Sequence, residues 1–268
     1  MKVYDAPEMS AAVGCIKFVR PNSRVLEFGT GTGYATRFMR DALRCSVTGV
    51  ECVPEAAEQA RPYAEKMIVA DVDTGDWTQS LEGLFDFIVF GDVLEHLRDP
   101  RLAVDRALRF LSPGGSLLTS VPNVGHNAIL LNLRKGRFEY KEYGLLDNTH
   151  IHLFTRESLF GMLGELGLYA VASSDNVVRP CLTEFNIHYL AQPFFSLCLV
   201  RRLDGDVYQF VNEWKKAEVS ELPSRNKVNA RRPSLVRAAY EFLYDGAHLL
   251  AMWLPPNVRT RLKKQLLR

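Results

Sequence analysis

Residues Arg24–Tyr34 read Arg-Val-Leu-Glu-Phe-Gly-Thr-Gly-Thr-Gly-Tyr, a short apolar run that breaks into glycines at three alternate positions. Val25, Leu26 and Phe28 suit a strand buried on both faces, and Gly29, Gly31 and Gly33 let the backbone turn sharply and approach a ligand before a helix opens near Tyr34. A dinucleotide fingerprint spaces its glycines G-x-G-x-x-G and sets a pyrophosphate on the helix N-terminus. Here the spacing is G-x-G-x-G, and Glu27 stands two residues before the first glycine, where an acid repels phosphate. That acid suits a ligand carrying an ammonium and a sulfonium. A tight structural connection is the alternative for such a stretch taken alone, so its neighbours decide.

Outward from this turn, strand and helix patterns alternate. Tyr34–Leu43 has a helical pattern, and Cys45–Val50 is a second buried strand ending in Glu51, 18 residues beyond Gly33. An acid at that tip is placed to accept hydrogen bonds from ribose hydroxyls; an exposed strand-end carboxylate is the plainer alternative. Pro54 opens a helix, and Lys66–Ala70 forms a third strand closed by Asp71-Val72-Asp73. Phe85–Phe90 is a fourth, followed by Gly91-Asp92-Val93-Leu94-Glu95-His96-Leu97; Arg101–Leu111 is helical, and Ser116–Val121 is a fifth strand. Such alternation means right-handed crossovers, a parallel sheet and a ligand crevice at the carboxyl ends of the strands.

The spacing Glu27-x-Gly29-x-Gly31-x-Gly33 resembles the first motif of class I S-adenosylmethionine-dependent methyltransferases, and the Leu-Glu-His triplet before Asp99-Pro100 resembles the post-strand motif of that family. The resemblance implies an α/β fold, a doubly wound, mostly parallel seven-stranded sheet of the Rossmann-like methyltransferase type with a C-terminal helical extension, and S-adenosylmethionine as cofactor. By the same resemblance Glu27, Gly29, Thr30, Gly31 and Gly33 form the cofactor loop, Asp71 meets the adenine amino group, the Val72 N–H meets the ring, and Asp92 sits at the cofactor's edge. His96 is expected to be a structural helix-end residue.

Residues 122–155 interrupt the alternation, and an insertion this long in a compact domain suits a lid or binding loop. Its segments Pro-Asn-Val-Gly-His, Gly-Arg-Phe-Glu-Tyr and Leu-Asp-Asn-Thr-His, the last ending in Phe154-Thr155, resemble a bacterial methyltransferase subgroup found with glycan-assembly enzymes; His152 departs from that pattern. Thr155 caps a helix to Leu166, Leu168–Ser173 and Phe194–Arg202 are expected as the sixth and seventh strands with the last antiparallel, and Asp204–Ala217 is expected as a helix. The chain thus divides into a methyltransferase domain over 1–203 and a helical, basic extension over 204–268. Within the extension Glu221–Pro233 is a polar linker, and Ser234–Leu254 aligns Leu235, Val236, Ala239, Phe242, Leu243 and Leu249 on one helical stripe. The stripe fits docking on the domain, on a second subunit in a homodimer, or on anionic lipid.

Of the 268 residues, 47% are hydrophobic and 24% charged, which argues against long disorder. Residues 225–268 hold ten Lys or Arg and two acids, a net charge of +8, which leaves the rest at −6. An acidic cofactor-bearing part argues against nucleic acid as partner. Cys15, Cys45, Cys52, Cys181 and Cys198 are odd in number and lack C-x-x-C spacing, so neither a disulfide framework nor a metal site is expected. The N-terminus lacks a signal-length apolar core, and a cytoplasmic protein, peripheral on the inner membrane face if the tail binds lipid, is the expectation.

Methyl transfer from a sulfonium is an in-line displacement that needs chiefly positioning, and a hydroxyl acceptor also needs a base. The insertion supplies His126, His150 and His152, and His150 lies three residues after Asp147, a spacing that lets the carboxylate orient the imidazole if the segment turns. Lid packing is the alternative for all three. The first functional expectation is O-methylation of a sugar hydroxyl in surface-glycan or glycolipid assembly. A quinone or other membrane-lipid acceptor is the second, and a non-catalytic S-adenosylmethionine-binding partner protein is the reading from another class.

Overall fold

The computed structural model describes residues 14–217 and 235–252. Two compact units divide the chain: unit 1 takes residues 1–124, 140–177 and 207–228, and unit 2 takes 125–139, 178–206 and 229–268.

Unit 1 is built on one eight-stranded sheet. Strands β1 (Arg24–Phe28), β2 (Ser46–Glu51), β3 (Lys66–Val69), β4 (Phe85–Gly91) and β5 (Leu111–Pro122) pair in parallel. The order across the sheet is β3-β2-β1-β4-β5-β8-β6, where β6 is Leu168–Ser173 and β8 is Val207–Lys216. β8 runs antiparallel to both β5 and β6, and the short β7 (Asn176–Val177) also pairs with β8. Alternation along the strands feeds two apolar layers. Leu26, Phe28, Ile88, Phe90, Leu117, Phe210 and Trp214 face one, and Val25, Val47, Phe87, Val89, Leu118 and Val211 face the other. A sheet with both faces buried is what near-continuous apolar strands require. Phe28 stacks on Phe90 with centroids 4.4 Å apart and meets the edge of Trp77 at 4.8 Å, which locks the first layer beneath the strand ends.

The connecting helices are α1 (Tyr34–Leu43), α2 (Pro54–Ala60), α3 (Pro100–Ala107) and, in unit 1 after the insertion, α5 (Arg156–Glu165). Asp99 caps α3 by accepting the Leu102 N–H at 2.9 Å, and Thr155 and Ser158 form a reciprocal capping box on α5. Unit 2 holds α4 (Asn127–Leu133), α6 (Pro193–Leu199) and α7 (Leu235–Met252), with 3₁₀ turns at Pro180–Leu182 and Tyr189–Ala191. Its core is Ala128, Leu131, Ile187, Tyr189, Leu199 and Val200. Buried Asn127 ties it together, donating from Nδ2 to the Tyr189 hydroxyl at 2.7 Å and to the Leu199 carbonyl at 3.1 Å, while Tyr189 donates to Asp206.

Five expectations are corrected. Residues 194–202 do not supply the seventh strand: Pro193 starts a helix there, at the position where its missing N–H costs nothing. The antiparallel strand is Val207–Lys216, expected as a helix; its aromatic and branched residues at alternate positions send Phe210 and Trp214 into one layer and Val211 into the other. The domain division at residue 203 therefore moves, since this strand completes the sheet of unit 1. The insertion 122–155 is not one element, because 125–139 joins unit 2 and 140–155 joins unit 1. In α7 the inward residues include Glu241 and Asp245, whereas Leu243 is exposed. The expected linker Glu221–Pro233 lies outside the described residues.

Candidate active site

The carboxyl ends of β1 to β4 bring most of the expected cofactor residues to one edge of unit 1. Gly29 and Gly33 hold positive φ, +68° and +85°, and neither position tolerates a side chain: a Cβ on Gly29 would stand 2.5 Å from Val93, and one on Gly33 2.7 Å from the Ala60 backbone. Gly31 between them faces open space. Its N–H donates to Glu51 at 2.8 Å, and the other Glu51 oxygen accepts the Val53 N–H at 3.0 Å. Glu51 thus fixes the glycine turn to the tip of β2. A carboxylate has about four acceptor sites, so it keeps capacity for ligand hydroxyls. Thr30 is buried, with its hydroxyl 3.9 Å from the Met67 sulfur.

Glu27 is buried within β1 and accepts the Thr36 hydroxyl of α1 at 2.6 Å. Burial raises its pKa to about 7, against the lowering effect of that hydrogen bond, and the Glu51 charge adds to the rise. A cation placed beside it relieves the desolvation. After β3, exposed Asp71 accepts the Asp73 N–H at 2.9 Å and Val72 is buried, its carbonyl accepting from Trp77 at 3.0 Å. Asp73 receives the Arg98 and Asp99 N–H groups, which binds the β3 and β4 loops together.

Asp92, at the end of β4, holds φ +56°, a left-handed conformation that costs a non-glycine residue about 1–3 kcal/mol. It accepts the Ser120 hydroxyl of β5 at 3.0 Å and the side-chain amide of Gln209 on β8, and burial raises its pKa to about 7. Ser120 and Gln209 were not among the sequence candidates; Gln209 lay in the stretch expected to be helical.

A second constellation follows Asp92. Glu95 is 1% exposed, and neither of its carboxylate oxygens finds a hydrogen-bond partner among the described residues. The Glu95 backbone carbonyl accepts from Ile151 at 2.8 Å and from His152 at 3.0 Å, which pins the His150 segment over it. Glu95, His96 and His150 bring one donor atom each within 4.8 Å of one another, a set able to take a proton or a divalent ion. The His96 and His150 rings meet edge-on at 4.9 Å, and His96 Nδ1 contacts the Thr149 carbonyl at 3.2 Å. Burial, then the neighbouring His96, lowers the His150 pKa, so its imidazole is neutral at neutral pH; burial, then the Asp92 charge, raises that of Glu95 well above the carboxylate range.

Two candidate roles change. Asp147 does not orient His150: its Oδ1 accepts the Thr149 N–H at 2.8 Å and the Thr149 hydroxyl at 2.6 Å, the local turn favoured by Asp at such positions. The carboxyl group beside His150 is Glu95, which the sequence showed only as part of a triplet. His126, in unit 2, is fully buried; its Nδ1 accepts the Ala128 N–H at 3.1 Å and its Nε2 bonds the Val178 carbonyl at 2.8 Å, so it caps α4 with both nitrogens engaged. His152 Nε2 contacts the Arg98 carbonyl at 3.1 Å.

The sheet order, the tight glycine turn and acids at the ends of β1, β2 and β4 define the Rossmann-like class I methyltransferase fold. The chain belongs to the methyltransferase domain family, whose model matches residues 13–173. The crevice fits S-adenosylmethionine as cofactor: the turn closes too tightly for a side chain at Gly29, while Glu27 offers a buried acid to a cation. The chain is similar to ubiquinone biosynthesis O-methyltransferases of Xanthomonas campestris, at 30% identity over 137 residues covering 46% of this chain and 57% of that protein, and of Xanthomonas oryzae, at 29% over 164 residues covering 53% and 67%. It therefore spans less than two thirds of the Xanthomonas campestris relative. Among solved structures its fold is similar to a SAM-dependent methyltransferase from Archaeoglobus fulgidus, with TM-score 0.53, 17% identity and coverage of 76% of this chain and 89% of that one. A Burkholderia thailandensis 1,6-didemethyltoxoflavin-N1-methyltransferase gives TM-score 0.51 at 18% identity, covering 80% of each chain.

Proposed function

We propose that this methyltransferase acts on a hydroxyl of a quinone-type or other membrane-lipid acceptor, with His150 as the base. The observation that carries the hydroxyl assignment is the buried Glu95 carboxyl group beside His150, without a hydrogen-bond partner among the described residues, on the loop that leaves β4 at the cofactor crevice. When bound, the cofactor supplies a methyl carbon activated on a sulfonium. Glu51 holds the glycine turn, Glu27 joins β1 to α1 and offers its carboxyl group to the cofactor's cation, Asp92 lines the crevice edge, and His150 takes the proton of the acceptor hydroxyl as that oxygen becomes the nucleophile. A buried acid that stays uncharged suits this task. A fixed carboxylate would hold His150 as an imidazolium, whereas a neutral Glu95 leaves its lowered pKa in place and the base ready at neutral pH.

The lipid assignment draws its support from the Xanthomonas relatives, and the sugar reading of the insertion gains none from them. Within unit 2, Phe194 is 88% and Leu243 73% exposed, side chains suited to an acyl or polyprenyl surface. We extend the proposal to peripheral attachment of the cytoplasmic protein to anionic membrane through residues 225–268. No helix among the described residues is long and apolar enough to cross a membrane. The experiment is incubation of the full chain with methyl-labelled S-adenosylmethionine and separate lipid-quinone, glycan and protein fractions of a cell extract. Label in a lipid phenol supports the proposal; label in glycan alone restores the sugar acceptor, and no label in any fraction favours a binding protein without catalysis.

A further inference from the structure

Unit 2 carries a cluster of metal-ligand chemistry with no part in methyl transfer. Cys181 lies on the 3₁₀ turn Pro180–Leu182, His188 immediately precedes the turn Tyr189–Ala191, and His248 projects from α7. The three bring one donor atom each within 4.8 Å of one another. His188 is 7% exposed, and neither of its ring nitrogens has a hydrogen-bond partner among the described residues. A buried imidazole nitrogen left unpaired is costly, so this environment suits a ligand that the described residues do not provide.

We propose that Cys181, His188 and His248 bind a zinc ion that joins the two turns to α7. One thiolate and two imidazoles match the preference of zinc for sulfur and nitrogen donors, and hard cations such as magnesium prefer oxygen. With Zn–S near 2.3 Å and Zn–N near 2.0–2.1 Å, tetrahedral donors stand about 3.3–3.6 Å apart. Closing from at most 4.8 Å needs side-chain rotation on turns and a helix already held together. Arg179 donates to Glu241 at 2.6 Å and lies 3.9 Å above the Tyr244 ring, which fixes the Cys181 turn against α7 without metal.

Asp245, one helical turn before His248, completes the surroundings. One of its oxygens accepts the Tyr189 N–H at 2.5 Å and the Leu190 N–H at 3.4 Å; the other lies 3.4 Å from His188 Nδ1. A carboxylate behind a ligating imidazole sets its tautomer and orientation, so Asp245 is a positioning residue. The charges also balance: a dication, the Cys181 thiolate and the buried Asp245 carboxylate sum to zero, and the proton lost by the thiol passes to solvent. The fourth coordination position is left to water. The five scattered cysteines gave no sign of this, because the ligands lie on segments far apart in sequence.

The test uses the full chain, stripped of metal and titrated with cobalt(II), which reports a thiolate ligand through a near-ultraviolet charge-transfer band. About one equivalent should bind, zinc should displace it, and mass spectrometry of protein grown with zinc should find the same stoichiometry. Cys52→Ser with Cys198→Ser removes the two exposed thiols and should leave the band unchanged. Cys181→Ser should abolish it, and His248→Cys should strengthen it roughly twofold by adding a second thiolate. A wild-type titration without the band overturns the proposal even if Cys181→Ser fails to fold, and so does a band that survives in Cys181→Ser or is unaltered in His248→Cys.

Discussion

The cofactor crevice of unit 1 and the polar core of unit 2 are written into the chain in different ways. In unit 1 each crevice group sits at or just beyond the end of one strand: Glu27 and the glycines after β1, Glu51 at the tip of β2, Asp71 and Val72 after β3, Asp92 after β4. In unit 2 Asn127 reaches Tyr189 across 62 residues and Asp206 across 79. A parallel sheet gathers strand ends at one edge whatever the loop lengths, so local spacing reveals the first kind of site. The second kind is fixed only when distant segments pack. Perturbing one group at a time separates the two regions.

His150 belongs to unit 1, but packing alone brings Glu95 beside it, so it tests where the two kinds of site meet. His150→Ala should lose about 10²-fold or more in turnover with S-adenosylmethionine affinity and thermal stability near wild type. The acidic limb of the wild-type rate profile should fall below pH 6.5, since His150 is lowered from that value by burial and by His96. Turnover that persists in His150→Ala across pH 6 to 9 would remove it as the base. Asp147→Asn should change turnover little, because Thr149 already occupies that carboxylate.

Asn127→Ala strips the Tyr189 hydroxyl of a buried partner and should cost about 1–3 kcal/mol, read as faster amide exchange in Ile187–Ala191. Unchanged exchange there would show that the polar core of unit 2 does not organise it. Glu51→Ala should weaken S-adenosylmethionine by a comparable 1–3 kcal/mol or so in calorimetry. Equal affinity in that variant would take Glu51 out of the cofactor site and leave it as a clamp on Gly31.

How much was legible follows from the same contrast. Strands β1 to β6 and the helix starts at Pro54 and Thr155 could be read because buried strands and helix ends have local signatures. Val207–Lys216 could have been read as well: its alternating aromatic and branched residues are a strand signal, outweighed by the polar residues between them, which face Ser116 and Asp92 across the sheet. Glu95 gave no signal of its role, since a carboxylate within Leu-Glu-His shows its burial only after the His150 segment folds over it. His126 was misleading for the opposite reason. A histidine after a Pro-Asn turn looks exposed until α4 is seen to need a cap.

Glu27 links folding and cofactor binding to pH. Glu27 has a folded pKa of about 7, raised by burial from an ordinary value near 4.5. The folded protein therefore binds more protons than the unfolded chain between these two values, and the sign follows: stability falls as pH rises from 4.5 to 7, because ionising Glu27 in the folded state costs more than in water. Cofactor binding runs the other way. A ligand cation beside Glu27 favours the carboxylate, so the free protein must lose a proton to bind below pH 7, and affinity should rise about tenfold between pH 6 and 8, the factor that one proton with a pKa near 7 gives. Glu27→Gln keeps an acceptor for the Thr36 hydroxyl but cannot titrate. It should bind more weakly at pH 8, lose the dependence between pH 6 and 7, and gain stability over wild type at pH 8 relative to pH 5. If the Gln variant retains the wild-type pH profile, the acid facing the cofactor is Asp92, whose pKa is also raised to about 7, and Glu27 only joins α1 to β1.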